Sequence, residues 1–186
     1  MAGGTPSILM QGGRVGTWYT YNDGSATGTQ TPAMSTACDP VVIAGGYCGF
    51  TRAQNTFGSG FTTWGAGIGF DLDNTGVGSR KPYNASAFTG IAFLAHGSNQ
   101  VRFNVTESAT IPTAQGGTCT TNCSDAHGTE ISLTAAWVQY VVPFSTLAQV
   151  GWGTKAAFDP ATILSVQFQV VQNTSFDFYI GDIGFY

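Results

Sequence analysis

Hydrophobic and polar residues alternate along much of this chain with the two-residue period of a β-strand. Segment 64–72 is the clearest example, because its apolar residues would all point to one side: Ala66, Ile68, Phe70 and Leu72. Segment 163–171 has the same pattern, with Gln167 and Gln169 opposite its apolar residues. Five further segments have this strand character, namely 14–21, 88–95, 101–106, 137–142 and 176–186, and another strand begins near Ile131.

Turn-forming residues separate these segments, as at 22–24 and 97–99. Eight or more strands joined in this way predict an all-β fold, an antiparallel β-sandwich of the jelly-roll type, in a single domain over residues 1–186. Segment 25–62 is rich in Gly, Thr and Ser and is predicted to be a long, partly ordered loop region. Residues 1–12 are predicted to be a flexible or truncated N-terminal segment, and 144–150 could form one short helical turn.

Composition narrows the class of protein and of ligand. Only 9% of the residues are charged, against about 25% in an ordinary soluble domain, and two Glu and two Lys are too few for a helical bundle. The net charge is −4 and the six basic residues are scattered, which argues against nucleic acid as a partner. No apolar run is long enough to span a bilayer. The expected ligand is neutral and polar, and carbohydrate fits that description best.

The four cysteines form two close pairs along the chain. Of the three possible connectivities, the spacing favours Cys38 with Cys48 and Cys119 with Cys123. Two such local disulfides indicate an oxidising compartment. The alternative is a zinc site at Cys119, Cys123 and His127, but the Cys-x2-Cys spacing and a fourth ligand are missing.

One face of the predicted strands carries amide and guanidinium groups rather than Lys or Glu. The candidates for hydrogen bonds to sugar hydroxyls are Arg102, Asn104, Gln167 and Gln169. The alternative interpretation is an ordinary solvated face.

Aromatic residues supply candidate stacking platforms for the apolar C–H faces of sugar rings. Trp18 faces away from Tyr19 and Tyr21 on one strand, so one side of this strand must be buried. Trp64 and Trp152 lie beside glycines at strand or loop edges, which is compatible with exposure.

Other residues are expected to shape the sheet around these platforms. Trp137 begins a strand and is expected in the core. The alternating glycines Gly65, Gly67 and Gly69 leave one strand face bare, for either a sugar chain or a covering loop.

Catalysis and metal binding are the alternative chemistries. A glycanase needs two carboxylates that flank the scissile bond, and the only glutamates are Glu107 and Glu130. Segment 71–76 begins like a calcium loop, but its twelfth position is Pro82 where an EF-hand requires Glu, so an Asp- and Asn-rich turn explains it as well.

Four segments together resemble a known family: 13–24, 64–70, 88–93 and 176–185. Their order is similar to that in galactose-binding-like β-jelly-roll carbohydrate-binding modules attached to secreted bacterial glycanases. The resemblance implies a secreted, monomeric, non-catalytic module that targets an attached glycoside hydrolase to its polysaccharide. It also implies a structural calcium, with Asp182 as one ligand, although Gly181 stands where a second acid is common.

The sequence therefore predicts binding of an extended neutral plant-wall polysaccharide, with a β-1,4-linked glucan such as cellulose or a related β-glucan as the expected ligand. The predicted stacking residues are Trp18, Tyr21, Trp64 and Trp152, and the predicted hydrogen-bonding residues are Arg102, Asn104, Gln167 and Gln169. A small jelly-roll glycoside hydrolase is the first alternative. A structural or adhesive β-sandwich without sugar specificity is the second.

Overall fold

The computed structural model describes residues 5–76 and 80–186, and this part of the chain is almost entirely β. Its strands are β1 (Trp18–Asn22), β2 (Thr29–Thr31), β3 (Val41–Tyr47), β4 (Phe50–Ser59), β5 (Ala66–Asp71), β6 (Gly90–Gly97), β7 (Gln100–Glu107), β8 (His127–Ser132), β9 (Val138–Pro143), β10 (Ile163–Val170) and β11 (Phe176–Phe185). Single 3₁₀ turns occur at Thr113–Gln115, Phe144–Thr146 and Pro160–Thr162. Among the described residues, no helix is long and apolar enough to cross a membrane.

The strands form two antiparallel sheets. The first sheet has the order β1-β5-β10-β7-β8, and the second has the order β2-β4-β11-β6-β9 with β3 paired to β4. The consecutive strands β10 and β11 occupy central positions in different sheets. This arrangement confirms the predicted all-β sandwich.

A cluster of phenylalanines fills the space between the sheets. Phe93 of β6 lies 5.3 Å from Phe103 of β7 and 4.9 Å from Phe168 of β10, measured between ring centroids. All three rings are at most 1% exposed. Burying a side chain of this size stabilises the fold by roughly 1.5–3 kcal/mol, so the inward positions of these strands determine the register.

The segment predicted to be a loop region, 25–62, instead contains β2, β3 and β4. The prediction was wrong because polar residues occupy the inner side of β4, where Gln54 is 1% exposed and Thr56 is fully buried. A hydrophobic period therefore does not mark this strand. Hydrogen-bonded pairing with β11 holds it in the sheet.

The N-terminal segment is also more ordered than predicted. Trp18 N–H donates to Pro6 O at 2.8 Å and Ile8 N–H donates to Gly16 O at 3.0 Å, so residues 6–8 run alongside the start of β1. Ile8 is 7% exposed and belongs to the core. Residues 1–4 lie outside the described part of the chain.

Only one of the two predicted disulfides forms. Cys119 and Cys123 are bonded, but Cys38 and Cys48 are not bonded to each other. Cys38 is buried, with its Sγ 3.5 Å from Gln54 Oε1, whereas Cys48 is exposed in the turn after β3. The extended strand between them explains why residues close in sequence are not paired. The disulfide also removes Cys119 and Cys123 as zinc ligands.

Candidate binding face

The outward residues of the first sheet form two rows that cross its five strands, and we call this surface the binding face. The first row follows the register Tyr19, Gly69, Gln167, Asn104 and Gly128. The second row follows the register Tyr21, Gly67, Gln169, Arg102 and Glu130. The next row beyond the first contains Asp71, Ser165 and Thr106. These side chains are buried, so this row is not accessible to a ligand.

Glycines in β5 make room for side chains of the strands on either side. A Cβ atom on Gly67 would lie 2.5 Å from the Cζ atom of Tyr21, and one on Gly69 would lie 2.8 Å from the Cγ atom of Gln167. Both positions therefore require glycine for close approach. The side chains of Tyr21 and Gln167 cover the glycines of β5. The expectation that a sugar chain or a loop lies directly on these glycines was therefore wrong.

Trp64 stacks beside Tyr21 at one edge of the binding face. Their ring centroids are 5.9 Å apart, the planes differ by 24°, and Trp64 is 42% exposed. The Asp23 Oδ2 atom accepts backbone N–H groups from Thr63, Trp64 and Gly65 at 2.8–2.9 Å. One carboxylate thus fixes the backbone that presents the tryptophan.

The amides on the binding face are held by a connected set of hydrogen bonds. Gln167 Nε2 donates to Tyr19 Oη at 3.0 Å, and Gln169 Nε2 donates to Trp64 O at 3.2 Å. Asn104 Nδ2 donates to Gln169 Oε1 at 3.3 Å. Asn104 is only 5% exposed, so it has little surface for the direct contact with sugar that was predicted. Its hydrogen bond instead suits it to orient Gln169.

Arg102 joins the binding face to the segment beyond β8. Its Nη1 atom lies 3.3 Å from Glu130 Oε1, and its Nη2 atom donates to Ala148 O at 2.7 Å. Ala148 and Gly128 also exchange two backbone hydrogen bonds of 2.9 and 3.0 Å. Residue 148 therefore extends the first sheet by a short sixth segment.

The binding face is close to electrically neutral. Burial is the main cause that raises the pKa of Tyr19 and, more strongly, the pKa of Tyr21, so both hydroxyls stay protonated near neutral pH. The cationic Arg102 is paired with Glu130. Rings, amides and paired charges suit an uncharged polar ligand.

Trp152 lies in the loop that follows residue 148, beyond β8, whereas Trp64 directly precedes β5. Trp152 is 59% exposed. The Asp125 carboxylate accepts N–H groups from Val150, Gly151 and Gly153 at 2.8–3.0 Å. Sequence reasoning missed Asp23 and Asp125, because the N–H groups that they bind around Trp64 and Trp152 are 25 to 42 residues away and leave no local pattern.

Trp18 does not belong to the binding face. It is 3% exposed and its ring centroid is 4.6 Å from that of Phe70 in the core. The alternation along β1 places Trp18 on one side and Tyr19 and Tyr21 on the other, and the sheet buries the tryptophan side. The predicted stacking role of Trp18 was therefore wrong.

The two glutamates cannot form a glycanase pair, because they lie on opposite sides of the first sheet. Glu130 is on the binding face, whereas Glu107 is fully buried with Oε1 2.7 Å from His127 Nδ1. Burial, and secondarily the charge of Asp159, raises the pKa of Glu107 to about 8. Both glycosidase mechanisms need the two carboxyl groups around one sugar bond, which this placement excludes.

The residues around the predicted calcium ligands offer few carboxylates. Asp182 is exposed at an irregularity in β11. Asp71 is already paired with Arg80 Nη1 at 2.9 Å and Asn74 Nδ2 at 2.7 Å. Within 5–76 and 80–186, no group of three His, Cys, Asp or Glu side chains could hold a metal ion. Calcium at Asp182 stays a prediction.

Comparison with known proteins gives matches at the level of structure. No family model and no curated protein matches the sequence. The family 11 carbohydrate-binding module of a cellulosomal cellulase of Clostridium thermocellum superposes with a TM-score of 0.61 at 17% identity, over 90% of this chain and 86% of that one. A family 11 carbohydrate-binding module from Clostridium thermocellum, in complex with a β-1,3-1,4-mixed-linked tetrasaccharide, gives a TM-score of 0.61 at 15% identity, over 100% of this chain and 96% of that one.

A second kind of module gives a weaker match. A family 30 carbohydrate-binding module of a Clostridium thermocellum cellulosomal cellulase gives a TM-score of 0.54 at 13% identity, over 91% of this chain and 96% of that one. Identities this low establish the fold alone. This chain has the jelly-roll β-sandwich fold of carbohydrate-binding modules from glycanases.

Proposed function

We propose that this domain is a non-catalytic module that binds an extended, neutral β-glucan, with β-1,4-linked glucan as its main ligand. The observation that carries the proposal is the exposed Trp64 ring, stacked on Tyr21 beside the amides of Gln167 and Gln169. A pyranose presents an apolar C–H face to such a ring and equatorial hydroxyls to the neighbouring amides. Stacking and hydrogen bonding are thus available to one sugar chain on one surface.

The arrangement of the rows favours a chain that crosses the strands. The two rows of the binding face run from β1 to β8, perpendicular to the strands. Adjacent strands are spaced by about 4.8 Å, a distance similar to the length of one pyranose in an extended glucan. Each strand can therefore contribute to about one sugar unit. Ordering the ligand offsets much of the contact energy, so we expect modest affinity for oligosaccharides.

The fold supports this proposal, since a solved family 11 module with the same fold is in complex with a mixed-linked β-glucan tetrasaccharide. We propose that the domain acts outside the cell as a monomer joined to a glycoside hydrolase. The Cys119–Cys123 disulfide is compatible with an oxidising compartment.

Affinity electrophoresis against a panel of soluble polysaccharides tests the proposal. The panel contains hydroxyethylcellulose, mixed-linkage β-glucan, xyloglucan, xylan, mannan and pectin, and insoluble cellulose is tested by pull-down. We expect retardation by the β-1,4-linked glucans, with no release of reducing sugar. Binding only to pectin or mannan would overturn the proposed specificity, and release of reducing sugar would overturn the non-catalytic role. Parallel gels with a chelator test the calcium prediction.

A further inference from the structure

A cavity of about 440 Å³ lies between the two sheets, beside residues 6–17. We call residues 6–17 the N-terminal arm, since they run alongside the start of β1. Trp18, Phe70 and Val166 lie in register on β1, β5 and β10 and form one wall of the cavity, and Ile91 of β6 lies in the opposite wall. An apolar cavity of about 150 Å³ holds one benzene ring, so this space admits a molecule of one or two rings.

The lining of the cavity is too apolar for a sugar. Val166 and Ile91 carry no polar side-chain atom and are at most 1% exposed. A sugar between them would leave hydroxyl groups without hydrogen-bond partners, which is costly. Three aromatic rings continue the lining, with the ring centroid of Phe185 5.7 Å from that of Tyr83 and 5.3 Å from that of Phe88. Because rings pack well against another ring, this lining favours a planar aromatic ligand.

A cationic side chain, Arg14 of the N-terminal arm, also lines the cavity. Its guanidinium carbon lies 5.7 Å from the ring centroid of Tyr83 and 5.4 Å from that of Phe185. The other three arginines donate hydrogen bonds to protein acceptors. Within 5–76 and 80–186, by contrast, no acceptor pairs with the Arg14 guanidinium. Its N–H groups are therefore suited to a carboxylate on the ligand.

The backbone that carries Arg14 is fixed on both sides. Arg14 N–H donates to Gln11 O at 3.2 Å, which closes the turn of the N-terminal arm. Val15 N–H donates to Leu72 O at 2.9 Å, and Asn74 N–H donates to Val15 O at 2.7 Å. A cation held in this way loses little freedom when a ligand binds.

The second sheet is irregular beside the cavity. Pairing of β11 with β4 ends at Ile180, and its pairing with β6 shifts register between Gly181 and Gly184. Asp182 lies within this bulge, has a φ of 43°, and is exposed while it lines the cavity, so the cavity reaches the surface here. Its carboxylate opposes an anionic ligand. Arg14 outweighs it, because Arg14 is partly buried whereas the exposed Asp182 is screened by solvent and salt.

We propose that this cavity is a second binding site, separate from the binding face, for a small planar aromatic carboxylate. The ring lies between the sheets, and the carboxylate accepts hydrogen bonds from the Arg14 guanidinium. This inference does not rest on the proposed function. A glucan on the binding face contacts the outward side of the first sheet, whereas the cavity lies on the inward side.

Titration calorimetry with cinnamate tests the inference on the full chain, at neutral pH and with a chelator present. Cinnamyl alcohol keeps the ring without the charge, and hexanoate keeps the carboxylate without the ring. We expect cinnamate to bind at least about tenfold more tightly than either, because a hydrogen bond to a charged group and an aromatic contact each support about this gain. Equal binding of cinnamyl alcohol would overturn the role of Arg14. Undetectable binding of cinnamate at millimolar concentration would overturn the site.

Substitutions at the cavity test the assignment of charges. Arg14→Gln should weaken cinnamate binding about tenfold or more, and Arg14→Lys should weaken it less, since lysine keeps the charge without the planar fork. Lys155→Gln is the matched control, because it removes one positive charge from an exposed residue outside the cavity lining. It should behave like the parent protein. Asp182→Asn should strengthen binding about twofold. Equal losses in Arg14→Gln and Lys155→Gln would show a general charge effect and overturn the site.

Chemical-shift mapping by NMR on the parent protein gives a test that does not depend on the folding of Arg14→Gln. Cinnamate should shift the indole N–H of Trp18 and the methyl groups of Ile91 and Val166. Shifts confined to Tyr21 and Trp64 would place the ligand on the binding face and overturn the inference.

The proposed function is tested separately. Arg14→Gln should be retarded by β-glucans like the parent protein, because Arg14 is not on the binding face. If the parent protein binds cinnamate but no β-glucan, the proposed function fails and the cavity site stands. If it binds β-glucan but not cinnamate, only the cavity site fails.

Discussion

The two sheets of this domain both carry aromatic residues on their outer faces, but they use them differently. On the first sheet, Trp64 and Tyr21 stack side by side, and Trp64 remains 42% exposed. On the second sheet, aromatic rings pack against one another in a group that we call the hairpin cluster: Tyr47, Phe50, His96, Trp137 and Tyr179.

The β3–β4 hairpin closes the hairpin cluster. Its residues Tyr47 and Phe50 contact Trp137 at centroid distances of 5.9 and 5.1 Å, and His96 contacts the same ring at 4.4 Å. A Cβ atom on Gly181 would lie 2.5 Å from the ring of Phe50, so β11 needs glycine there to accept the hairpin. Trp137 is therefore used for packing, although it lies outside the core in which we expected it.

The difference shows that aromatic content alone does not identify a ligand-binding face. Both faces are rich in aromatic rings, but the ring of Trp137 is contacted by several neighbouring aromatic side chains, which cover it. The ring of Trp64 has only Tyr21 as an aromatic partner among the described residues. The open ring surface, together with adjacent amides, distinguishes the binding face from the hairpin cluster.

Replacing each tryptophan by alanine should give the largest and most contrasting effects. Trp64→Ala should weaken glucan binding about tenfold or more, since truncating a central aromatic anchor typically costs about 2 kcal/mol. Trp137→Ala should leave affinity unchanged and lower stability by about 3 kcal/mol, because it opens a cavity under the hairpin. Calorimetric titration and denaturant unfolding measure the two quantities.

The reversed result would break the comparison. If Trp137→Ala lost affinity at unchanged stability, the hairpin cluster would be a ligand site. The assignment of the ligand-binding face to the first sheet would also fail if Trp64→Ala unfolded the domain without a specific loss of binding.

Amides on the two outer faces provide a smaller test. Gln167→Ala removes a hydrogen-bonding group and the partner of Tyr19, so affinity should fall about two- to tenfold, the range for one net hydrogen bond. Gln139→Ala is the matched control, since Gln139 is exposed and faces outward on the second sheet. It should change neither affinity nor stability measurably. Equal affinity of both variants for polymeric β-glucan would remove Gln167 from the site.

A fall in pH should lower the stability of the domain slightly through His96 on the second sheet, but should leave the glucan affinity of the binding face unchanged. Burial lowers the pKa of His96 below its ordinary value, and Asp177 opposes this only in part. The unfolded state therefore binds the proton more readily, so His96 reduces stability as pH falls below about 6.5. The binding face holds protonated tyrosines and ionised Asp23, so affinity should stay constant between about pH 5 and 8.

His96→Phe isolates this effect, because phenylalanine keeps the ring contact with Tyr179. Thermal unfolding from pH 8 to 5 should show a shallower loss of stability in this variant, while His127 contributes equally to both proteins. A fall in glucan affinity that parallels the fall in stability would reveal a titrating group on the binding face. Such a result would contradict the neutral description of that surface.

The strands that alternate apolar and polar residues could be predicted from sequence, and they include most of the binding sheet. Segments 64–72, 101–106 and 163–171 correspond to β5, β7 and β10, and their register follows from burying Phe70, Phe103 and Phe168. The same alternation identified Gln167 and Gln169 as outward residues. Local period and burial were sufficient there.

Features that depend on distant partners could not be predicted. The choice between the two sides of β1 is made by the sheet below it, which buries Trp18 and exposes the side with Tyr21. The presentation of Trp64 and Trp152 depends on carboxylates far away in the chain. The buried residues Gln54 and Thr56 of β4 are polar, so the composition of this segment is typical of a loop. Its strand conformation depends on pairing with β11, which is distant in the chain.

The central placement of β10 and β11 has a consequence for synthesis of the chain. β10 bridges β5 and β7, and β11 bridges β4 and β6, so each sheet is divided until these last strands arrive. A nascent chain that has emerged only as far as residue 160 can form strand pairs such as β6 with β9 but cannot complete either sheet. Cooperative folding must therefore wait for residues 163–185, and until then the strand edges that β10 and β11 cover remain unpaired.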